Sequence, residues 1–361
     1  MIPKADLKDV TRQLRFFEAV REAQDICMAR DPAVYIVGLG VPDPKGVFGT
    51  TVGLKEKYGA DRVLDMPLAE NAMTGVAIGS AIVGMRPIMI HQRVDFALLA
   101  MEQIVNQAAK WHYMFGGLMK VPMVIRMVIG RGWGQGPQHS QSLQSWFAHI
   151  PGLKVIMPST AYDAKGLLIA AVEDDHPVIV LEHRWLYGIS DAVPKKVYRV
   201  PLGQARVARE GRDVTLAATS YMTLEALRAA EMLSEQGISA EVIDLRSLRP
   251  LDEEAILRSV RKTGRLVVAD TGWRGFGISA EIIALAAEKA FSDLRAPPQR
   301  VTLPNLPTPT TRALADHYYP RSPHIVAAVL PLFDREVDQA IFAPPRDRNL
   351  DQPDPSFTGP F

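Results

Sequence analysis

A single cysteine, Cys27, occurs in 361 residues, which excludes an internal disulfide and any multi-cysteine metal site. One thiol in a chain this long fits a reducing compartment. Neither sign of charge dominates: 41 Lys and Arg stand against 40 Asp and Glu, a formal net charge of +1. Such a balance creates no field to recruit nucleic acid or an anionic membrane, so neither is an expected partner. Long apolar runs are also missing. Residues 72–85 form the most apolar stretch, rich in Gly and Ala and closed by Arg86-Pro87, and it is too short to span a bilayer. The amino terminus, MIPKADLKDVTRQLRFFEAV, lacks the apolar centre of a secretory signal. A cytoplasmic protein is expected. Several catalytic signatures are absent as well. There is no GxxxxGKS or GxxxxGKT, no HExxH and no GxSxG, and the glycine run from Gly130 to Gly136 lacks dinucleotide-binding spacing.

What is present is a regular alternation. Residues 33–38, 86–90, 121–128, 154–157 and 177–181 are short, nearly continuous apolar runs that predict strands buried on both faces. Residues 12–30, 69–84, 96–115 and 161–173 predict helices between them. A polar crossover over 193–202 precedes a second series, with strands at 214–219, 239–244 and 266–270 and helices at 222–236, 252–263 and 279–291. The fold class expected is therefore α/β, two parallel-sheet domains over 1–195 and 196–338 followed by a Pro-rich tail, 339–361.

Three stretches carry chemistry. Asp65-Met-Pro-Leu-Ala-Glu70 puts an acid at the start of a small-residue helix that contains Gly75 and Gly79. Gln92-Arg93-Val94-Asp95-Phe96 directly follows a strand. Gly134-Gln-Gly-Pro-Gln-His139 is a glycine-rich loop that delivers a histidine. Alone, each has a plain reading: Glu70 as a first-turn carboxylate favoured by the helix dipole, Phe96 as core, the glycines as close helix packing.

Their order and spacing, with Trp146-Phe-Ala-His149-Ile-Pro-Gly152, Pro158, Asp163-Ala-Lys-Gly166, Asp244-Leu-Arg246 and Pro307-Thr-Pro309, resemble a known family. It is the beta subunit of the decarboxylating component of 2-oxo acid dehydrogenases (pyruvate, branched-chain and acetoin dehydrogenases), related to transketolase. The likeness runs from about residue 12 to about residue 330. It implies a transketolase-like pyrimidine-binding domain, then a transketolase C-terminal domain, and thiamine diphosphate as cofactor. The resemblance makes Glu70 the acid that shifts the aminopyrimidine to its imino form, with Gln92 beside the cofactor and Phe96 stacked on the ring. His139 becomes the catalytic histidine near the substrate, and His149 a second recurring histidine. The family's Gly-Asp-Gly and paired-Asn segments, which hold Mg²⁺ and the diphosphate, belong to an alpha subunit and are not found here. An alpha partner in an α₂β₂ assembly is thus implied, with the Gly75/Gly79/Gly84 helix as a candidate subunit contact. A structural K⁺ on backbone carbonyls near Met123, Ala171, Asp174 and His176 is also implied.

Two departures from the family stand out. Its first strand usually ends Gly-Glu-Asp, but here reads Gly38-Leu39-Gly40. Its Glu-Ile-Gln-Phe-Met-Asp-Phe becomes Ile90-His91-Gln92-Arg93-Val94-Asp95-Phe96. Arg93 is then either a solvated, surface-paired side chain or, with His91 and Arg131, a grip on an anionic or polyol substrate. The expected activity is decarboxylation of a 2-oxo acid with acyl transfer to the lipoyl arm of an acyltransferase. The alternative is a split transketolase-like transferase, moving a two-carbon or acyl unit to a sugar or carrier.

Overall fold

The computed structural model describes residues 12–132, 135–315 and 317–343. Of the expected Pro-rich tail, the part after Ala343 lies outside the described residues, as do Trp133 and Gly134 of the glycine run. The chain divides into two compact units. One comprises residues 12–130 and 146–202; the other comprises 131–145 and, among described residues, 203–343.

The first unit contains β1 (Gln13–Arg15), α1 (Phe16–Arg30), β2 (Val34–Val37), α2 (Leu54–Tyr58), β3 (Val63–Leu64), α3 (Glu70–Ile82), β4 (Arg86–His91), α4 (Trp111–Met114) and β5 (Val124–Ile129). After α5 (Gln144–His149), it continues with β6 (Lys154–Ile156), α6 (Ala161–Glu173), β7 (Val178–His183) and β8 (Ser190–Ala192). The strands lie in the order β6-β7-β5-β4-β2-β3, all parallel, as their apolar runs predict. Register places Met89 beside Ile125, Ile90 beside Arg126 and His91 beside Met127.

Two expected helices are corrected. The first begins at Phe16, not Arg12, because the Glu18 carboxylate accepts the Arg15 backbone N–H at 2.9 Å and closes the helix there. Gln13–Arg15 instead pairs antiparallel with β8. The expected helix over 96–115 is broken into a 3₁₀ turn (Phe96–Ala100), a π-helical stretch (Gln103–Ala108) and α4. A turn from elsewhere in the unit presses on the break: a Cβ built on Gly152 would lie 1.8 Å from the Ala109 carbonyl oxygen. Lys110 Nζ donates to the Pro151 carbonyl at 2.8 Å, fastening the same contact.

The second unit contains β9 (Arg206–Arg209), β10 (Val214–Ala218), α7 (Tyr221–Glu235), β11 (Ala240–Asp244), β12 (Ser247–Arg249), α8 (Glu253–Thr263) and β13 (Leu266–Trp273). It ends with α9 (Ile278–Lys289), β14 (Gln299–Leu303), α10 (Arg312–Ala315) and α11 (Ser322–Val329). Its sheet runs β14-β13-β10-β11-β9, parallel except for β9 at the edge. Alanines of α7 (Ala226, Ala229, Ala230) let the helix lie close on Leu216, Val242 and Val267. Among the described residues no helix is long and apolar enough to cross a membrane.

Candidate active site

In a parallel sheet, ligands bind beyond the carboxyl ends of the strands. In the first unit those ends are Val37, Leu64 and His91 on the neighbouring strands β2, β3 and β4. The loop after each is tied to the next. Asp65, directly after β3, accepts the backbone N–H of Gly40 and of Met66, each at 2.9 Å. Gln92, directly after β4, donates its Nε2 to the Leu39 carbonyl at 2.9 Å. Gly40 takes a positive φ of 68°, and a Cβ there would fall 2.8 Å from Gln92 Nε2. Leu39, in the position where the family carries an acid, is thus held by both neighbouring loops. The role of Asp65 was not read from the sequence, although an acid placed right after a strand was visible there.

Glu70 is the first residue of α3, and its side chain is buried, with only 5% of the residue exposed. Among the described residues its carboxylate has no hydrogen-bond or ion-pair partner. The helix dipole favours a negative group at this end, and the carboxyl stays open to a polar atom of something else. Helix α3 packs against the 3₁₀ turn opened by Phe96, which is half-buried. Acid and aromatic thus sit on elements in contact, at the same end of the sheet.

His91 closes β4 and is 2% exposed, and among the described residues neither ring nitrogen has a hydrogen-bond partner. Burial pushes its pKa down to about 4, so the ring is neutral near pH 7. Arg93 is buried rather than solvated: Nη1 donates to the Gly130 carbonyl at 2.9 Å, and the guanidinium lies 5.2 Å from the Phe48 ring centroid. The surface-paired arginine considered from sequence is overturned, because the guanidinium holds the loop after β5.

His139 and Arg131 belong to the second unit. His139 is half-buried in the turn that precedes Ser140, whose hydroxyl donates to the Gln135 carbonyl at 3.3 Å. Arg131 is buried and donates through Nη2 to the Thr310 carbonyl at 2.9 Å, so it braces this segment from within. Gln144 donates to Asp270 at 2.9 Å, and Thr219 donates to the same carboxylate oxygen at 2.7 Å. Burial raises the Asp270 pKa. Pro137, Gln138 and Gln141 flank an open cleft of about 600 Å³ completed by Trp273, Phe276 and Leu306.

His149 is exposed at the end of α5, just before β6 begins at Lys154. It therefore lies toward the amino ends of the strands, away from Glu70 at their carboxyl ends. Of the carbonyls expected to hold K⁺, Met123 accepts from Val178 N–H at 3.0 Å, Ala171 from Asp174 N–H at 3.3 Å, and Asp174 from Arg86 Nη1 at 3.1 Å. Each of these oxygens keeps a second lone pair. Of the glycines in and after α3, Gly75 makes way for Gln103 of the same unit, whose Oε1 would stand 3.2 Å from an added Cβ. Gly79 and Gly84 have open space around them.

The pyrimidine-binding domain of transketolase matches residues 12–189, and the transketolase C-terminal domain matches 203–325. The chain is 45% identical to the beta subunit of acetoin:2,6-dichlorophenolindophenol oxidoreductase of Cupriavidus necator, over 88% of this chain and 97% of that protein. The subunit of the same name in Bacillus subtilis is 42% identical, over 90% and 98%. The mitochondrial pyruvate dehydrogenase E1 component subunit beta of Rattus norvegicus is 40% identical, over 88% and 90%. A solved structure, a split-gene transketolase described as an inactive beta4 tetramer, superposes with a TM-score of 0.73 at 26% identity, covering 89% of this chain and 99% of that one.

Proposed function

The chain belongs to the beta-subunit family of thiamine-diphosphate-dependent 2-oxo acid dehydrogenases, within the transketolase superfamily, and on that premise we propose that its first unit holds the cofactor's aminopyrimidine through Glu70. The observation that carries this is Glu70, 5% exposed and with no hydrogen bond or ion pair among the described residues, on a helix packed against the Phe96 turn. When bound, thiamine diphosphate supplies a carbanion that attacks a ketone carbonyl. Glu70 would hold the aminopyrimidine by a hydrogen bond between its carboxyl and a ring nitrogen. Phe96 offers an aromatic face for stacking, about 0.5–1.5 kcal/mol beyond simple burial. Gln92 keeps the Gly38–Leu39–Gly40 turn in place beside them. His139 carries protons at the substrate.

An alpha subunit carrying Mg²⁺ and the diphosphate site completes the catalyst. In support, the outward face of α3 exposes Val76 (59%) and Val83 (81%) around the small residues Ala72 and Gly79, a surface suited to close subunit packing. The substrate is a 2-oxo acid, and the acyl product passes to a lipoyl arm.

The test is co-expression with an alpha chain, followed by lipoyl-domain acylation with a panel of 2-oxo acids and with acetoin. Glu70→Gln should lower kcat by roughly 10²–10⁴ in that assay. Full activity of Glu70→Gln would remove the reading. Sugar-phosphate turnover without lipoyl acylation would favour the transferase alternative, which the likeness to a split-gene transketolase keeps in view.

A further inference from the structure

Two tie points set how α3 lies on the sheet. The Tyr35 hydroxyl of β2 and the Ser80 hydroxyl of α3 are 2.7 Å apart. Further along, the Thr74 hydroxyl of α3 contacts Met89 Sδ of β4 at 3.2 Å. The helix connects β3 to β4, and both strands run parallel to β2, so the helix runs back against them.

From the Thr74–Met89 contact, one turn back along α3 reaches Glu70 and two residues forward along β4 reach His91. Those steps are about 6 Å on the helix and about 6.7 Å on the strand, both toward the carboxyl ends. Met89 and His91 share one face of β4, because side chains alternate along a strand. The opposite face is occupied by Ile90, in register with Arg126, whose Nη1 reaches Gln24 of α1 at 2.7 Å. His91 therefore faces α3 at the level of Glu70. Both residues are more than nine-tenths buried, and the His91 ring nitrogens have no hydrogen-bond partner among the described residues. A buried imidazole without a partner, level with a carboxyl, points to a polar arrangement that joins the two.

We infer that His91 is a positioning residue for Glu70: its ring N–H takes the outer carboxyl oxygen once cofactor is bound, turning the other oxygen to the ring nitrogen. This rests on the thiamine reading above. A neutral imidazole suits the role, since it donates without placing a cation beside a proton that must stay shared.

Thiamine diphosphate affinity, measured by calorimetry on the assembled alpha–beta protein, tests this. His91→Phe should weaken binding about tenfold, the loss of one hydrogen bond to a group sharing a charge, and shift the acid limb of the kcat–pH profile. His91→Asn should recover most of the affinity. In unsubstituted protein labelled with ¹⁵N-histidine, one ring that does not titrate between about pH 5 and 8 should shift when cofactor is added. Unchanged affinity and pH profile in a folded His91→Phe protein overturn the inference. If both variants fail to fold, the labelled protein decides, and no cofactor-dependent shift of a non-titrating ring overturns it equally. Should Glu70→Gln alone reduce affinity and activity, only the role of His91 falls; should Glu70→Gln also be silent, the thiamine reading falls with it.

Discussion

Arg126 of β5 and Glu182 of β7 meet across adjacent strands through two hydrogen bonds, Nε to Oε1 at 2.6 Å and Nη2 to Oε2 at 2.8 Å, with both side chains buried. Gln24 of α1 accepts from Arg126 at 2.7 Å, and the Tyr187 hydroxyl donates to Glu182 at 2.6 Å. Gln24 then donates to the Thr50 carbonyl at 2.7 Å, which extends the network to the loop after β2. Removing one charge strands the other in the core. Arg126→Met should cost about 3–5 kcal/mol, and Arg126→Met with Glu182→Met should cost less than that single change. Urea unfolding midpoints of the two variants make the comparison.

Glu70 should behave in the opposite way. A carboxyl buried without a partner is kept for binding and adds little to the fold. Glu70→Gln should leave the cofactor-free protein within about 1 kcal/mol of the parent, the range left by helix-dipole loss against relief of burial. Thermal unfolding without cofactor reads this, and a large loss of stability would mean that Glu70 is structural.

His91 gives stability a pH dependence of known sign. Its pKa is about 4 folded against an ordinary 6.5, so between those values the unfolded chain binds the extra proton. The contribution is fully present above about pH 6.5 and is lost as pH falls toward 4, by about 3 kcal/mol in total. Denaturant titrations at about pH 7.5, 5.5 and 4.5 should show a shallower decline in His91→Phe than in the parent.

Cys27 should be inert. Burial pushes its thiol up to about 12, so at pH 8 about one part in ten thousand is thiolate. Iodoacetamide should leave the native protein unmodified over hours and alkylate it promptly in urea, as mass spectrometry would record.

Gly152 allows the turn before β6 to dock on the broken helix at Ala109. It combines a φ of +100° with backbone contact too close for any Cβ. Gly152→Ala should therefore destabilise by more than about 2 kcal/mol, because neither chain can move without opening the other. Differential scanning calorimetry would measure the loss.

Much of the architecture was legible. Strands expected at 86–90 and 177–181 are found at Arg86–His91 and Val178–His183, and they declare themselves because both faces are buried and the expected runs are nearly all apolar. Helix 96–115 was misread for the same reason that it is broken: its local pattern is helical, but the turn at Gly152, some forty residues on, decides its course. Whether Arg93 was surface-paired or a substrate grip stayed open in the sequence because charge alone says nothing of burial; the Gly130 carbonyl and the Phe48 ring that enclose it come from other loops.

The sequence by itself determined which chemical groups are available and in what order: an acid opening a helix, a glutamine and an aromatic after a strand, a histidine on a glycine-rich loop. It also determined the alternation of strands and helices, since burial period is a local property. Only the tertiary structure decided that Glu70 and His91 are both buried and that His91 has no hydrogen-bond partner among the described residues. Those facts depend on how a helix settles on strands distant in sequence, which packing of many side chains sets and no short stretch of residues encodes.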